Sequence, residues 1–514
     1  MATVVREIER KYDAAGSAAA AVGAVRGMTG VAGVAAVSRH DEQVLDAVYY
    51  DTADLRLIRN GITLRQRTGG EDAGWHLKLP VGGDARDEIR LPPPKPTAGR
   101  PAVVPRSLAA LVRAYTRGAP LVPVVHMRTN RGVLRLLDEA GRTLAEIATD
   151  HVSADPLDGS APTTWDEIEF ELAAGDRELL EAADARLRAA GARPAPTATK
   201  LERALAARLR AVRQAAGDPA GAGAGSARLT PGTPAGDVVL AYVRWQARAI
   251  TRYDPLVRRD EPDAVHQMRV ATRRARSALQ AYGEIIERAR TQSLCDELKW
   301  LAAVLGHARD AEVLLDRLTG ELTRIPPDLV TGPVSARIDG HFGAELGQAR
   351  RAAVRTLDGR RYLSLLDGLD GLIAHPPLTP LAVRRAGKAL GKPMRRAARR
   401  LERALAAVPQ APDKDTAIHE ARKAAKRARY AAEVAAPALG GAAKRQASRA
   451  KGLQGLLGDH HDSVVTRTVL LGLVSQARDA GEDTFTYGLL YERQACQAAD
   501  IERALPAVPG QGKS

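Results

Sequence analysis

The chain has 514 residues, of which 45% are hydrophobic and 27% charged, so its composition is globular and excludes an intrinsically disordered chain. At about 150 residues per domain, this length predicts two to four domains. Aromatic residues make up only 4%, which disfavours nucleic-acid binding through stacked bases. The two cysteines, Cys295 and Cys496, exclude a disulfide scaffold or a cysteine-built zinc site and fit a reducing compartment.

The positive charge is unevenly distributed. The net charge of +15 arises from 76 Lys and Arg and 61 Asp and Glu; residues 1–220 hold 30 and 29 of these, which leaves 46 and 32 for the remainder. A neutral half followed by a basic half predicts a polyanionic partner, which could be DNA, RNA, an anionic membrane or polyphosphate. We find no signal-peptide pattern or membrane-spanning segment, and therefore expect a cytoplasmic protein that does not act at a membrane.

The first part of the chain alternates polar and apolar residues. Short segments with a period of two, from VVREIERKY to TTWDEIEFEL, predict antiparallel strands separated by turns. Helical patterns interrupt the strands at 14–25, 105–115 and 176–190. We therefore expect an α+β domain at 1–212, followed by a flexible linker at 213–236 that is rich in Gly, Ala and Pro.

The second part of the chain changes to long Ala-, Leu- and Arg-rich segments with a period near 3.6. Helices are predicted at 237–251, 265–288, 291–318, 383–407, 416–435 and 442–457. These segments indicate an all-α domain at 237–510.

The all-α part contains an internal duplication. His266-Gln-Met-Arg269-x3-Arg273-Arg274-x-Arg276 matches His419-Glu-Ala-Arg422-x3-Lys426-Arg427-x-Arg429 position by position, and Lys299-x-Leu301-x3-Leu305-Gly306-x3-Asp310 matches Lys451-x-Leu453-x3-Leu457-Gly458-x3-Asp462. Two blocks that recur at nearly equal offsets predict two helical repeats, about 237–375 and 380–510, related by a pseudo-two-fold axis.

Charged residues of one sign follow one another along the predicted strands. Glu7, Glu9 and Lys11 share one face because strand side chains alternate, and Arg65 and Arg67 share another. Such faces are usually solvated. If they line a closed barrel instead, the lumen offers carboxylates to a hard cation and guanidinium groups to phosphate oxygens.

The N-terminal motifs resemble those of the CYTH superfamily, the triphosphate tunnel metalloenzymes. The matching residues, in family order, are Glu7-x-Glu9-x-Lys11, Tyr49-Tyr50-Asp51-Thr52, Arg65-x-Arg67, Lys78, Arg86-x-Glu88, Asp150, Glu169-x-Glu171 and Lys200. The resemblance implies an eight-stranded antiparallel barrel, open at both ends, that hydrolyses a triphosphate with the help of Mg²⁺ or Mn²⁺.

The resemblance also implies roles for individual residues. Catalysis would involve Glu7, Glu9 and Lys11, and the metal ligands would be Glu7, Glu9, Asp150, Glu169 and Glu171. The triphosphate would be bound by Lys11, Arg65, Arg67, Lys78, Arg86, Arg128, Arg131 and Lys200. Glu88 could simply pair with Arg86. His76 departs from the family pattern on the strand of Lys78, and the spacing of Arg128 and Arg131 would need a bulge if both faced inward.

The duplicated histidine and arginine residues lie on one helix stripe in each repeat. At about 100° per residue, positions 0, +3, +7 and +10 fall within about 80°. Each row could be a solvated face, or its histidine could be a core residue. A metal site at His460-His461-Asp462 is disfavoured because adjacent helical residues face different ways.

The second half resembles the CHAD domain, a helical domain named for its histidines. The resemblance implies two four-helix bundles that bind inorganic polyphosphate across a basic groove. The residues implicated are His266, Arg269, Arg273, Arg274, Arg276, Lys299, Arg309, His419, Arg422, Lys423, Lys426, Arg427, Arg429 and Lys451.

Together these features lead to the hypothesis of an inorganic triphosphatase that docks on long-chain polyphosphate, in the cytoplasm and in association with polyphosphate granules. The alternatives are a non-enzymatic polyphosphate-binding protein with a regulatory barrel, and a nucleic-acid-binding protein, for which no reading motif is present. Thiamine or nucleoside triphosphates, or a cyclase reaction, also remain open. Oligomeric state is not readable from the sequence.

Overall fold

A computed structural model describes residues 3–14, 18–29, 31, 33–82, 85–93, 102–215 and 228–505. The chain divides into two compact units, Met1–Gly223 and Ala224–Ser514, which are described separately. Part of the predicted linker, residues 216–227, lies outside the described residues.

The first unit is a closed antiparallel barrel. Its strands are β1 (Thr3–Asp13), β2 (Ala36–Arg39), β3 (Gln43–Asp51), β4 (Thr63–Thr68), β5 (Gly74–Gly82), β6 (Ala85–Leu91), β7 (Val122–Leu137), β8 (Thr143–Pro156), β9 (Thr163–Leu172) and β10 (Arg193–Pro194). Eight strands pair in the order β1-β6-β5-β4-β3-β7-β8-β9, and β9 pairs back with β1. The predicted eight-stranded barrel is thus confirmed, and short strands β2 and β10 extend it by pairing with β7 and β1.

Alternation along the strands separates a charged lumen from an apolar outer surface. On β1, Glu7 and Glu9 face the lumen, whereas Tyr12 packs outside with Phe170 and Leu180. The same division holds on β9. A shift of one residue in register would exchange the two faces, so the period of two determines what lines the barrel.

Short helices pack against the barrel. They are α1 (Ala18–Arg26), α2 (Arg56–Arg59), α3 (Arg106–Leu111), α4 (Arg113–Thr116), α5 (Arg177–Ala189), α6 (Lys200–Ala204) and α7 (Ala206–Ala215). Helices α1 and α5 pack over β1, β8 and β9, while α2 and α3 pack over β3 to β6. The predicted helix at 105–115 is therefore two short helices.

Helices α6 and α7 modify the expectation of an open tunnel. Leu201, Leu205 and Leu209 pack with Met127 of β7 and Trp165 of β9, on the strand face that carries the lumen charges. These apolar side chains fill part of the lumen, so the barrel is not an open channel along its whole length.

The second unit is entirely helical among its described residues, 228–505. It comprises α8 (Ala235–Arg258), α9 (Ala264–Ala281), α10 (Arg288–Leu322), α11 (Val334–Asp358), α12 (Arg360–Ala374), α13 (Ala386–Ala389), α14 (Gly391–Ala407), α15 (Lys414–Leu439), α16 (Gly441–Asp479) and α17 (Phe485–Ala504), with 3₁₀ turns at Pro327–Leu329 and Val408–Gln410. Helices α8 to α11 and α14 to α17 form the two predicted bundles, and α12 adds to the first.

The sequence misplaced several helix ends. Helix α9 ends at Ala281 because the chain turns at Tyr282–Glu287, and α16 continues to Asp479 through residues that the periodic pattern did not reach. Helices α7 and α8 extend into both ends of the predicted linker. The core is correspondingly larger than expected, because Phe342 of α11 and Leu490 of α17 pack in one apolar cluster.

One motif of the first unit proves to be architectural. The buried carboxylate of Asp51 accepts hydrogen bonds from the backbone N–H groups of Thr52, Leu57 and Ile58 at 2.7, 2.8 and 2.9 Å. It thereby satisfies the otherwise unpaired donors at the start of α2.

We predict that Asp51→Ala lowers the free energy of unfolding by about 3 kcal/mol, because three buried backbone donors lose their acceptor. Urea denaturation of the whole chain measures the change. The matched control is Asp54→Ala, which removes a solvent-accessible pair with Arg56 and a hydrogen bond with Thr52 and should change stability by less than about 1 kcal/mol. Equal effects of the two substitutions would contradict the capping role.

Candidate functional sites

Three lumen carboxylates meet around one lysine. The Nζ atom of Lys200, the first residue of α6, lies 2.9 Å from Asp150, 2.7 Å from Glu167 and 2.5 Å from Glu169. Arg131 adds a bidentate pair with Asp150 at 2.8 and 2.6 Å. Ligand oxygens of the three acids lie within 4.8 Å of one another, so they could share a single cation.

Strand β1 contributes the next acid and base. Lys11 lies 3.1 Å from Glu9 and makes a close ion pair with Glu169 on the neighbouring strand β9. Arg86 of β6 lies 3.9 Å from Glu9 and donates to the carbonyl of Ala198 at 3.1 Å. The structure thus brings together residues that the sequence grouped only by their spacing.

Glu88 is surrounded by basic groups from three strands. It accepts from Arg90 and pairs with His76 Nδ1 at 2.9 Å, and it also lies 3.6 Å from Lys78 and 3.9 Å from Arg65. The pKa of Glu88 is held far below its usual range. Burial alone would raise it, but the hydrogen bond with His76 and the charges of Lys78 and Arg65 outweigh burial. Glu88 therefore remains ionised.

Glu7 lies beside this group and has the opposite electrostatics. Lys78 contacts it at 2.5 Å and Arg90 at 3.4 Å, yet burial raises the pKa of Glu7 to about 7, with a further contribution from Glu88. Burial also raises the pKa of Glu171, which faces several of the same carboxylates. Glu7 and Glu171 therefore bind a proton more readily than an exposed carboxylate does.

Basic residues of β4 occupy the opposite side of the lumen. Arg65 donates to the Tyr49 hydroxyl at 3.2 Å, and Arg67 makes a close ion pair with Asp72. The pKa of Arg67 is lowered to about 9, first by burial and then by the charge of Arg65. Burial also lowers the pKa of His76 to about 4, while its Nδ1 and Nε2 atoms face two acceptors, the Glu88 carboxylate and the Asp72 carbonyl.

The donor set of the lumen fits a hard divalent cation. Asp150, Glu167 and Glu169 offer only oxygen atoms at a spacing that one ion could bridge, and Glu171 lies close enough to other carboxylates for their charges to raise its pKa. Mg²⁺ and Mn²⁺ prefer such oxygen ligands, whereas a softer metal would favour nitrogen or sulfur.

The lumen residues differ from the predicted set in three respects. Arg128 is exposed on the outer face of β7, whereas Arg131 faces inward, because no bulge separates the two residues. Glu88 pairs with Arg90 instead of Arg86. Four lumen residues that join the ion-pair and hydrogen-bond network were not among the predicted site residues: Tyr49, Glu88, Arg90 and Glu167. Cross-strand register, which the sequence does not reveal, would have found them.

The two basic rows of the helical unit lie next to each other on α9 and α15. They consist of His266, Arg269, Arg273 and Arg276, and of His419, Arg422, Lys426 and Arg429. The pKa of Lys426 is lowered to about 6, first by burial and then by the positive charges of Arg273, Arg422 and Arg269. Cations from both rows therefore face one another.

The duplicated Leu-Gly-x3-Asp block holds the arginines of these rows. Arg269 lies 3.2 Å from Asp310 and Arg422 lies 3.6 Å from Asp462, at equivalent places in the two repeats. A Cβ atom on Gly306 would lie 3.4 Å from the Arg269 guanidinium, and one on Gly458 would lie 3.7 Å from that of Arg422. Each guanidinium therefore lies in contact with the glycine of the next helix, where the aspartate pairs with it.

Each row also presents buried donors that no described residue accepts. These atoms are Nδ1 of His266 and of His419, and Nε of Arg269 and of Arg422. Buried polar groups are normally hydrogen-bonded, so their symmetric recurrence indicates a place for an anionic ligand.

The other predicted contacts vary in position. Arg274 and Arg429 pair with Glu433, Arg309 with Glu312, and Lys423 with Glu420; Lys299 and Lys451 are exposed. These residues form separate ion pairs or are exposed, whereas Arg269, Arg273, Arg422 and Lys426 face one another.

The adjacent histidines of α16 point in different directions, as expected. Buried His460 contacts Glu502 at 3.1 Å and Asp415 at 3.6 Å, while the His461 ring packs 4.8 Å from that of His419. Lys414 and Arg467 already pair with the two acids around His460, so the geometry is accounted for by an ion-pair network.

The chain matches two family models and two curated relatives. The CYTH domain matches residues 6–204, and the CHAD domain matches residues 241–471. Uncharacterized proteins from two strains of Mycobacterium tuberculosis are 38% identical over 98% of this chain and 95% of their own length. No described helix combines the length and apolarity needed to cross a bilayer.

Solved structures resemble each half. The CHAD domain of the plant Ricinus communis is 27% identical, with 55% of this chain and 94% of that chain covered and a TM-score of 0.47. A putative adenylyl cyclase of Hippeastrum, described as having a dominant triphosphatase activity, is 16% identical, with 39% and 95% covered and a TM-score of 0.25. From the domain matches and the near-full-length relatives, the chain belongs to the family of proteins in which a CYTH domain is followed by a CHAD domain.

Proposed function

We propose that the barrel hydrolyses inorganic triphosphate, or a related short polyphosphate, with a divalent metal, and that the helical unit binds inorganic polyphosphate. The supporting observation is the lumen itself, in which carboxylates and basic groups alternate around the wall at ion-pair distances. A metal triphosphate carries both complementary charges, so it suits this lining better than a ligand of a single sign.

The ion pairs suggest how the substrate enters. Lys78 neutralises Glu7, and Lys11 and Lys200 neutralise Glu169, so each carboxylate has an internal cation in the free barrel. Phosphate oxygens would take over the lysine and arginine donors, which would release the carboxylates. Anion and metal binding would therefore favour each other.

The metal would be held by Glu7, Glu9, Asp150, Glu169 and Glu171, and Mg²⁺ or Mn²⁺ would supply positive charge to the phosphate oxygens. Arg65, Lys78, Arg86 and Arg131 would orient the phosphate chain for in-line attack by water. Such a displacement needs no covalent intermediate on the protein. Arg128 has no part in this arrangement.

In the helical unit, the central cations Arg269, Arg273, Arg422 and Lys426 would hold successive phosphates. Their mutual repulsion costs stability in the free protein, and a polyanion would remove that cost. The low aromatic content favours polyphosphate over nucleic acid. A protein with these activities would work in the cytoplasm, close to polyphosphate granules.

One observation favours a second candidate function. Lys200 already occupies the space between Asp150, Glu167 and Glu169, where a cation could bind. A barrel closed by its own lysine would regulate polyphosphate binding without turnover.

We predict that the purified chain releases phosphate from tripolyphosphate with Mg²⁺ or Mn²⁺, and that Glu9→Gln lowers kcat/KM by about 100-fold because a metal-binding charge is lost. A colorimetric phosphate assay over tripolyphosphate, thiamine triphosphate, ATP and long polyphosphate measures both. The control, Arg128→Ala, removes a cation from the outer face and should leave kcat/KM unchanged. An inactive wild type, or activity of Glu9→Gln equal to it, would favour the non-enzymatic alternative.

We predict that polyphosphate binding near pH 7 takes up a proton at Lys426. The pKa of this lysine falls from 10.5 to about 6 in the folded chain, so it is mostly neutral until a polyanion restores its charge. The enthalpy of binding should therefore depend on the ionisation enthalpy of the buffer. Isothermal titration calorimetry in two buffers checks this, and Lys426→Met should abolish the dependence.

The same shift fixes the sign of a stability change. Between pH 6 and 10.5 the unfolded chain binds the proton that folded Lys426 has lost, so stability rises with pH in this window, and Lys426→Met should flatten the rise. The control Lys423→Met changes an exposed neighbour that pairs with Glu420, and should retain both effects. Identical profiles for the two variants would contradict the assignment.

A further inference from the structure

The two repeats differ in charge at the end of their basic rows. With the offset that aligns His266 with His419, Gln280 of α9 is equivalent to Glu433 of α15. The helices are continuous at both positions, so the equivalence holds without gaps. A neutral residue in one repeat thus replaces an acid in the other.

Glu433 closes its end of the α9–α15 pair. It lies 2.7 Å from Arg429 and 3.2 Å from Arg274, and it accepts from the Tyr242 hydroxyl at 3.2 Å. Helix α8, which carries Tyr242, packs along α9 and also contacts α15. Both arginines at this end therefore pair with one carboxylate.

The equivalent end has no such carboxylate. Arg427 and Arg276 correspond to Arg274 and Arg429, yet neither lies within ion-pair distance of an acid in the described part of the chain. Helix α14 packs along α15 and also contacts α9, as α8 does at the other end, but it brings further arginines. After burial, the positive charge of Arg400 is the largest influence that lowers the pKa of Arg427.

A cavity of about 470 Å³ opens at this end, between α9, α10, α14 and α15. Its wall includes Gln280 and five arginines: Arg288, Arg396, Arg400, Arg403 and Arg427. Only Arg396 has a carboxylate partner among the described residues, Glu284 at 2.7 Å. Hereafter this space is the Gln280 cavity.

The lining of the Gln280 cavity is not basic throughout. Half-buried Ala281 and Ala397 contribute apolar surface over buried Leu279, Cys295 and Pro393, and Thr291 and Gln292 contribute neutral hydrogen-bonding groups. A bare phosphate chain has no group that would use the apolar surface. A ligand that combines phosphates with an uncharged ring would use both parts, as small-molecule sites commonly do.

We propose that the Gln280 cavity binds a nucleoside di- or triphosphate, with the phosphates on the arginines and the base against the apolar surface. The site is separate from the barrel and does not depend on hydrolysis there. It lies in the same unit as the proposed polyphosphate rows, beyond Arg276 and Arg427, so a nucleotide could compete with one end of a polyphosphate chain.

The test uses the full chain, ATP as the probe, and EDTA to remove divalent metal. Hydrogen-exchange mass spectrometry should show ATP-dependent protection at 277–292 and 393–403. Calorimetry should show that Gln280→Glu, which restores the carboxylate of the other repeat, weakens ATP binding at least tenfold, whereas the neutral Gln280→Ala changes it less than threefold. Gln280 is exposed, so neither substitution threatens folding.

Two further variants and two probes decide the remaining alternatives. Arg400→Ala should weaken ATP binding, and Glu433→Gln should leave binding in the Gln280 cavity intact. Protection confined to the barrel, or equal affinity of Gln280→Glu and wild type, would overturn the site. Pyrophosphate or tripolyphosphate binding as tightly as ATP would overturn the nucleoside assignment, because the ring would then contribute nothing. Loss of triphosphatase activity alone would affect neither result.

Discussion

Burial of ionisable groups in the barrel lumen is the constraint on which the first unit depends. A carboxylate or guanidinium removed from water is costly unless a partner of opposite charge lies beside it. Cross-strand pairs such as Arg131 with Asp150 and Lys78 with Glu7 supply those partners. The apolar clusters outside the strands, together with the cluster of Leu201, Leu205 and Leu209 at one end of the lumen, then stabilise the barrel around these charges.

The helical unit places its charge on an opposite principle. Its central cations face one another, and Asp310, Asp459 and Asp462 moderate them. Arg269 and Arg422 also lie against Gly306 and Gly458 of a neighbouring helix. Packing of the alanine-rich faces of α9 and α15 offsets the free-energy cost of this repulsion.

Sequence periodicity predicted which residues share a face, but not which residues meet. The period of two placed Glu7, Glu9 and Lys11 in one row, and the eight-stranded barrel followed from the family resemblance. The partners of Glu88 depend on the register of β4, β5 and β6, which side-chain spacing within one strand does not encode. Likewise Arg128 and Arg131 could be separated only once β7 was known to run straight between them.

Duplication followed by divergence explains why one half of a symmetric motif can carry an additional site. The rows preceding Gln280 and Glu433 are nearly identical, because their histidine, arginine and lysine residues face a common region. Beyond them, the acid at 433 pairs with two arginines, whereas the amide at 280 forms no ion pair with the equivalent two, and Glu420 acts on Arg427 only beyond ion-pair distance. Since like charges repel, the arginines beside Gln280 are stable there only if solvent or a bound anion screens their charges. The arginines of α14 increase this repulsion.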